Sequence, residues 1–486
     1  MKVMELKQYI NGKFHTPVSG KYMKNRNPAT GDIISKVPLG DKSDVDAAVY
    51  SAKSALPKWS AKSVDERADI LEKIANIIES RKQQLAELES LDTGKPIRLA
   101  FDTDISRAIA NFRFFAGAAR HDELGFHKMK NAVNYTLRKP LGVVALITPW
   151  NLPIYLLSWK TAPALVMGNT VVAKPSSMTP LTASALAEIM NEAGLPNGVF
   201  NLVHGSGSKV GKPLSLHQDV AAVSFTGSTD AGAKVSEAAS STFKKISLEL
   251  GGKNPTIVFA DADLNKAING AVRAAFTNQG QVCLCGSRIL VERKIHDQFL
   301  EGIVKATKKM KIGNPSDKNV DLGAVISHEH RDKVEEYIRL GIEEGGRIEC
   351  GGKRPELKNP WNNGAFLEPT IISGLPPNCR TATEEIFGPV ATIHPFETEE
   401  EAVAISNSVN YGLAASVWTS DLSRAHRISA DLESGMVWVN TWLLRDLRVP
   451  FGGMKDSGVG REGGRYSLDF FSELQNVCIE MGEKNE

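Results

Sequence analysis

Cysteine is scarce in this 486-residue chain: Cys283, Cys285, Cys350, Cys379 and Cys478 are the only five, thinly spread and odd in number. That pattern excludes a disulfide framework and points to a reducing compartment. Long apolar runs are missing too. The longest, residues 141–147, falls far short of the ~20 residues that cross a bilayer, and residues 1–7 hold no apolar core of signal-peptide length. Charge of one sign is also absent. A formal net charge of +2 argues against a nucleic-acid-binding surface, which needs a clustered basic excess. No internal repeat, low-complexity tract or long linker interrupts the chain. The expectation is a cytoplasmic protein with neither membrane nor nucleic-acid partners.

What is present reads as ordinary globular sequence, 42% apolar and 23% charged, long enough for two or three domains. Tyr9-Ile10-Asn11-Gly12-Lys13-Phe14 predicts a hairpin, and Asn27-Pro28-Ala29-Thr30-Gly31-Asp32 a second turn. Two amphipathic helices follow, one opened by a box of Ser43 and Asp46, the other by Ser63 and Glu66. In the second, Ile70, Leu71, Ile74, Ile77, Ile78, Leu85, Leu88 and Leu91 keep the spacing of one buried face as far as Gly94 and Pro96. From Arg138 the texture alternates between short apolar strands (142–147, 170–173, 200–203, 221–225, 256–259) and helices such as 181–192. This predicts an α/β fold with a parallel sheet, helices on both faces and ligands at the carboxyl ends of the strands. A second α/β region is expected over 261–450. The strand-like residues 471–481 have no evident sheet of their own.

Several stretches carry chemistry. Residues 267–276 read as a helix that empties into Thr277-Asn278-Gln279-Gly280-Gln281-Val282-Cys283, a turn that can expose a thiol nucleophile. The alternative is a half-buried structural cysteine. Glu249, in Leu248-Glu249-Leu250-Gly251-Gly252-Lys253, sits in an apolar setting that raises a carboxyl pKa and suits a base near neutrality; otherwise it is a surface glutamate. Asn151, in Thr148-Pro149-Trp150-Asn151-Leu152-Pro153, offers an amide to a developing oxyanion or merely caps a helix. Gly205-Ser206-Gly207-Ser208-Lys209-Val210-Gly211 is one residue too long for the usual dinucleotide fingerprint. Phe225-Thr226-Gly227-Ser228 could hold a pyrophosphate at a helix start. Cys285 completes a Cys-x-Cys without nearby histidine, a poor metal site, so no metal is expected.

These motifs, together with Lys174-Pro175-Ser176, Glu384-Glu385-Ile386-Phe387-Gly388-Pro389 and Pro450-Phe451-Gly452-Gly453, resemble the NAD(P)-dependent aldehyde dehydrogenase superfamily from end to end. The resemblance implies a Rossmann-like cofactor domain (1–120 and 141–252), an α/β catalytic domain (253–452) and a β oligomerisation arm (121–140 and 467–486), in a homodimer or homotetramer. It implies that Cys283 attacks the aldehyde, that the Asn151 amide and the Cys283 N–H hold the oxyanion, and that Glu249 activates the water that releases the acid. For the cofactor, NAD or NADP, it implies Trp150, Lys174, Ser176, Ser177, Gly207, Gly211, Phe225, Thr226, Gly227, Ser228, Leu250, Gly251, Glu385 and Phe387. A CoA-acylating relative would lack Glu249, and a crystallin-like binding descendant would have lost Cys283, Glu249 or Asn151.

Residues 150–160 and 440–448 look most like the 2-aminomuconic and 2-hydroxymuconic semialdehyde branch. That likeness implies a carboxylate-bearing semialdehyde, with succinic semialdehyde or broad specificity as alternatives. Arg107 and Arg445 would then meet the substrate carboxylate, along a tunnel of Leu152, Leu156, Trp159 and Trp442. Alternatively, the two arginines pair with local acids such as Asp104 and Asp446. At the adenosine ribose, Ser177 stands where strict NAD users of the family carry glutamate, and this predicts that NADP is accepted.

Overall fold

A computed structural model describes residues 3–482; residues 1–2 and 483–486, which belong to the expected segments 1–120 and 467–486, lie outside the described residues. The order of elements places two large sheets one after the other. The first runs Gly458–Val459, Lys245–Glu249, Val220–Thr226, Val143–Ile147, Thr170–Lys174, Phe200–Leu202, Gln8–Ile10, Lys13–His15. Its five central strands are parallel, and antiparallel strands close both edges. These central strands are apolar almost throughout, as expected for a sheet covered on both faces. One face packs on Leu71, Ile74, Phe112, Leu157 and Leu165. The other packs on Val45, Val49, Val210 and Leu214.

The second sheet runs Arg347–Cys350, Thr370–Ser373, Val390–Phe396, Arg288–Glu292, Pro255–Val258, Ala414–Trp418, Met436–Val439 and is parallel apart from its first pair. Pro255–Val258 therefore belongs here and not with the strands that precede it in sequence. An apolar strand reads alike in either sheet, and the chain changes sheets across residues 250–254. The strand-like C-terminal stretch finds its partner in a third sheet: Ser472–Glu480 pairs antiparallel with Ala132–Pro140, which pairs with Phe126–Lys128.

Local signals decide several boundaries. Gln8–Ile10 and Lys13–His15 pair through Asn11 (φ 52°) and Gly12 (φ 75°), the left-handed turn that Asn-Gly supplies. Ser63 and Glu66 form the expected capping box. The first helix, Lys42–Ser60, begins earlier than its Ser43 box implied. The cap is Asp41, whose carboxylate accepts from the Ser43 N–H, with Asp44 bonding back to the Asp41 N–H. Asp46 pairs with Lys42 instead. The long second helix is also two, Val64–Ser80 and Lys82–Thr93, divided at Arg81 (φ −106°, ψ 15°). Leu71, Ile74, Ile78 and Leu85 are buried as their spacing predicts.

Candidate active site

The loops that leave the carboxyl ends of the first sheet meet one turn from the second. Helix Leu264–Phe276 ends there, and the next turn puts Asn278 (φ 54°) and Gln279 (φ 57°) in the left-handed region. Two side chains fasten that strained turn from within. Gln279 Oε1 accepts from the Gly323 N–H at 3.2 Å, and Gln281 Oε1 from the Ile326 N–H at 2.9 Å. Asn254 then donates from Nδ2 to the Cys283 carbonyl at 2.7 Å and to the Cys285 carbonyl at 3.0 Å. The Cys283 thiol is half-buried, and burial, followed by the nearby carboxylates of Glu249 and Glu385, pushes its pKa up, opposed by Arg445. A thiol in that state needs a base or a bound ligand to ionise it.

Asn151 lies beyond the end of strand Val143–Ile147 and donates from Nδ2 to the Gln281 carbonyl at 3.0 Å. An amide NH2 carries two donors, so this bond leaves one for a ligand. Glu249 ends its strand, and neither of its carboxylate oxygens has a hydrogen-bond partner among the described residues. Burial holds its pKa well above the carboxylate range. Glu462 adds to the rise, while Lys160, Arg445 and Arg461 oppose it. Cys283, Asn151 and Glu249, separated by up to 132 positions (283 − 151), thus converge.

The residues expected at the cofactor lie mainly at the carboxyl ends of the first sheet's strands. Lys174 ends strand Thr170–Lys174 beside Gly211 and, among the described residues, donates from Nζ only to the Pro175 carbonyl, at 2.9 Å. Burial lowers it to about 8, and an anionic ligand would reverse that shift. Ser177 Oγ donates to the Gly205 carbonyl at 2.9 Å, and Ser176 Oγ accepts from the Met178 N–H. Gly207 opens an exposed turn capped by Ser206. Buried Phe225 and Thr226 lead through Gly227 to Ser228, the exposed cap of helix Thr229–Ser240. Leu250 packs against Gly232, and a Cβ on Gly251 would run into the Glu385 carboxylate. Glu385, raised to about 7 by burial against the Gly252 N–H and Lys253, accepts from that N–H at 2.9 Å. Phe387 (φ 58°) meets the Trp150 ring edge-on at 5.3 Å. A left-handed phenylalanine is strained backbone of the kind found at ligand clamps. A buried cation with one neutral acceptor, a glycine packed against the Glu385 carboxylate and a helix start at the strand ends suit a nicotinamide dinucleotide.

Arg107 and Arg445 also come together. The Arg107 guanidinium lies 5.7 Å from the Tyr155 ring, and Arg445 Nη1 donates to the Tyr155 hydroxyl at 2.8 Å. Neither has an ion-paired carboxylate among the described residues. Asp104 pairs with Lys95 and Asp446 with Arg448, so the local pairing weighed above does not occur. The Arg445 guanidinium carbon lies over the rings of Trp159 (4.5 Å) and Phe451 (3.9 Å), while Nη2 is buried without a partner among the described residues. Trp159 is consequently no open tunnel wall: it is 2% exposed, sealed between Arg445 and Phe115. Trp442 is buried, held by its indole N–H to the Leu284 carbonyl at 2.9 Å, and clusters with Leu152 and Cys283. Leu156 is half-buried. Arg445 and Phe451 line a cavity of about 880 Å3.

Sequence reasoning gave some members of this constellation no role. Lys160, the one charge in helix Pro153–Val166, bonds Glu462 at 2.6 Å and Ser224 at 2.8 Å; a lone cation in an apolar helix was the signal available. Phe451 and Tyr155 lay in stretches already singled out, without a role of their own, and His330, which bonds the Phe387 carbonyl at 2.7 Å, declares itself only through that distant partner.

A family model described as "Aldehyde dehydrogenase family" matches residues 14–477. The chain is 48% identical over 483 residues to a 2-aminomuconic semialdehyde dehydrogenase of Danio rerio, covering 99% of both. It is 47% identical to a 2-hydroxymuconic semialdehyde dehydrogenase of Pseudomonas sp. (strain CF600), covering 98% of this chain and 100% of that one. A solved NAD+ complex of a Bacillus cereus aldehyde dehydrogenase superposes with a TM-score of 0.95 at 39% identity, covering 98% of this chain and 97% of the other. The chain belongs to the aldehyde dehydrogenase family and is an enzyme that oxidises aldehydes.

Proposed function

We propose that the substrate is a short aldehyde with a carboxylate at its far end, muconic semialdehydes of the 2-amino and 2-hydroxy type first and succinic semialdehyde next. The observation that carries this is Arg445: a guanidinium packed over two rings, with one buried nitrogen unpartnered and no ion-paired carboxylate among the described residues. A half-buried cation with a buried, unpartnered nitrogen is costly unless an anion meets it, and its planar fork suits a carboxylate geometrically. Arg107, across Tyr155, supplies a second positive charge. The 2-aminomuconic and 2-hydroxymuconic relatives at 47–48% identity support the same class.

In this reading the Cys283 thiolate adds to the aldehyde carbon, and the Asn151 amide with the Cys283 N–H holds the oxyanion. Lys174, Ser228 and Glu385 would hold the nicotinamide dinucleotide, which would supply the hydride acceptor needed to take the Cys283 adduct to a thioester. Glu249 then takes a proton from water, which adds to the thioester and expels the thiolate with the acid as product. Segments 1–120 and 141–252 serve cofactor binding and 253–452 catalysis. Segments 121–140 and 467–486 form the arm of a homodimer or homotetramer in the cytoplasm.

The arginines give a direct test. Arg445→Ala and Arg107→Ala are each expected to raise KM by on the order of tenfold or more for carboxylate semialdehydes while sparing neutral aldehydes of equal length. Equal losses on both substrate types would make the arginines structural.

Ser177 gives a second test. A serine hydroxyl, once turned away from the Gly205 carbonyl, can donate to a 2′-phosphate where a carboxylate would repel it, and Lys174 offers a nearby cation. NADP is expected to serve alongside NAD, and Ser177→Glu to shift kcat/KM toward NAD by on the order of tenfold. A parent enzyme already as NAD-selective as the Ser177→Glu variant would end this part of the reading.

A further inference from the structure

Directly beneath Asn151 lies an ion pair sealed from water. Lys95 and Asp104 are both fully buried, with Nζ 2.5 Å from Asp104 Oδ2, and the same ammonium donates to the Asn151 main-chain carbonyl at 2.8 Å. Asn278, from the strained cysteine turn, donates from Nδ2 to that carbonyl at 3.2 Å and to the Gln281 carbonyl at 3.1 Å. The Asn151 carbonyl thus accepts from both sides while its own side chain reaches Gln281.

The surroundings hold the lysine rigidly. Its carbonyl accepts from the Ser90 hydroxyl at 2.6 Å. Asp104 belongs to the π-helical turn Ala100–Ile105, a form that concentrates at functional sites. Glu89 lies next to the pair and ties down the helix that follows Asn151, accepting from the Ile154 N–H at 3.4 Å and the Thr182 hydroxyl at 2.5 Å. Burial, then the Asp104 charge, raises Glu89 to about 8, opposed by Lys95, and burial raises Asp104 as well, again opposed by Lys95. The fold alone does not call for such a pair, because well-packed apolar residues stabilise an interior as well or better. What apolar residues cannot do is donate to the carbonyl of Asn151.

We infer that Lys95, charge-balanced by Asp104, is a positioning residue that fixes Asn151 so that its free amide N–H meets the oxyanion; the inference rests on the oxyanion role proposed for Asn151. Lys95 touches neither substrate nor cofactor and acts only through the Asn151 peptide. Its ammonium also places positive charge one peptide away from where negative charge develops.

The test is a double-mutant cycle on the full-length enzyme, with circular dichroism and thermal unfolding as fold controls. Asn151→Ala is expected to lower kcat by on the order of 10²–10³-fold; if it does not, the oxyanion reading falls, and the inference with it. Given that loss, Lys95→Met is expected to lower kcat by on the order of 10²-fold, with KM for aldehyde and cofactor changed by no more than about twofold. In the Asn151→Ala background the same change is expected to cost no more than about twofold. A wild-type kcat in Lys95→Met, or losses that multiply in the double variant, would overturn the inference while leaving the role of Asn151 intact. Should Lys95→Met fail to fold, Asp104→Asn, which keeps both side-chain volumes, goes through the same cycle with the same criterion.

Discussion

Cys283→Ala is expected to abolish NAD(P)H formation from any aldehyde, a loss on the order of 10⁴-fold or more in kcat, because no other group can form the covalent intermediate. Cys285 does not substitute. Its thiol is buried, its pKa is pushed up to about 12 by that burial, and its Sγ faces the Thr277 carbonyl. The fold should survive the change: Cys283 sits at the edge of the Val282, Leu284 and Trp442 cluster, and the turn is held by Asn254 and Gln281 through other atoms. Absorbance at the reduced-nicotinamide band checks activity, and cofactor binding by fluorescence checks the groove. Residual turnover above about 1% of the parent would reassign the nucleophile.

Glu249→Gln is expected to separate the two half-reactions. Acylation needs Cys283 and Asn151, so one equivalent of cofactor should still be reduced in a fast burst, while steady-state hydrolysis falls by on the order of 10²–10⁴-fold as general-base assistance is lost. The parent's pH dependence has a defined sign. A base must be deprotonated to act, and burial with the Glu462 charge raises the Glu249 pKa. Deacylation should therefore rise with pH through that elevated pKa, and the rising limb should be missing in Glu249→Gln. An unchanged limb would move the base elsewhere. Adding CoA to the parent should not accelerate turnover, because water completes the reaction; acceleration would favour an acyl-transferring enzyme.

Much of this site was legible in the sequence because its parts are local. Glu249 ends a strand, and Asn151 and Cys283 lie in the turns that follow a strand and a helix, so each carries its turn residues with it and a short motif fixes both position and chemistry. The supports were not legible. Lys95 acts on Asn151 from 56 positions away, and Lys160 pairs with Glu462 across 302, distances that only the tertiary fold closes. Arg445 was readable as a candidate, but its contacts with the rings of Trp159 and Phe451 were not, and neither was the burial of Trp159. In the fold, the hairpin at Asn11-Gly12 and the helix Leu181–Glu192 follow from their turn residues. The cap moved from Ser43 to Asp41 because two polar residues two apart compete for the same first-turn N–H groups. The break at Arg81 involves neither glycine nor proline, so no local residue announces it.

The central claim is a covalent thioester on Cys283 that only Glu249 can release. Its most direct test is the intact mass of Glu249→Gln after mixing with a carboxylate semialdehyde and NAD+, followed by peptide mapping. The prediction is one acyl adduct per chain, on the peptide bearing Cys283, persisting after the cofactor burst. An unmodified enzyme, or an adduct on another residue, would contradict it.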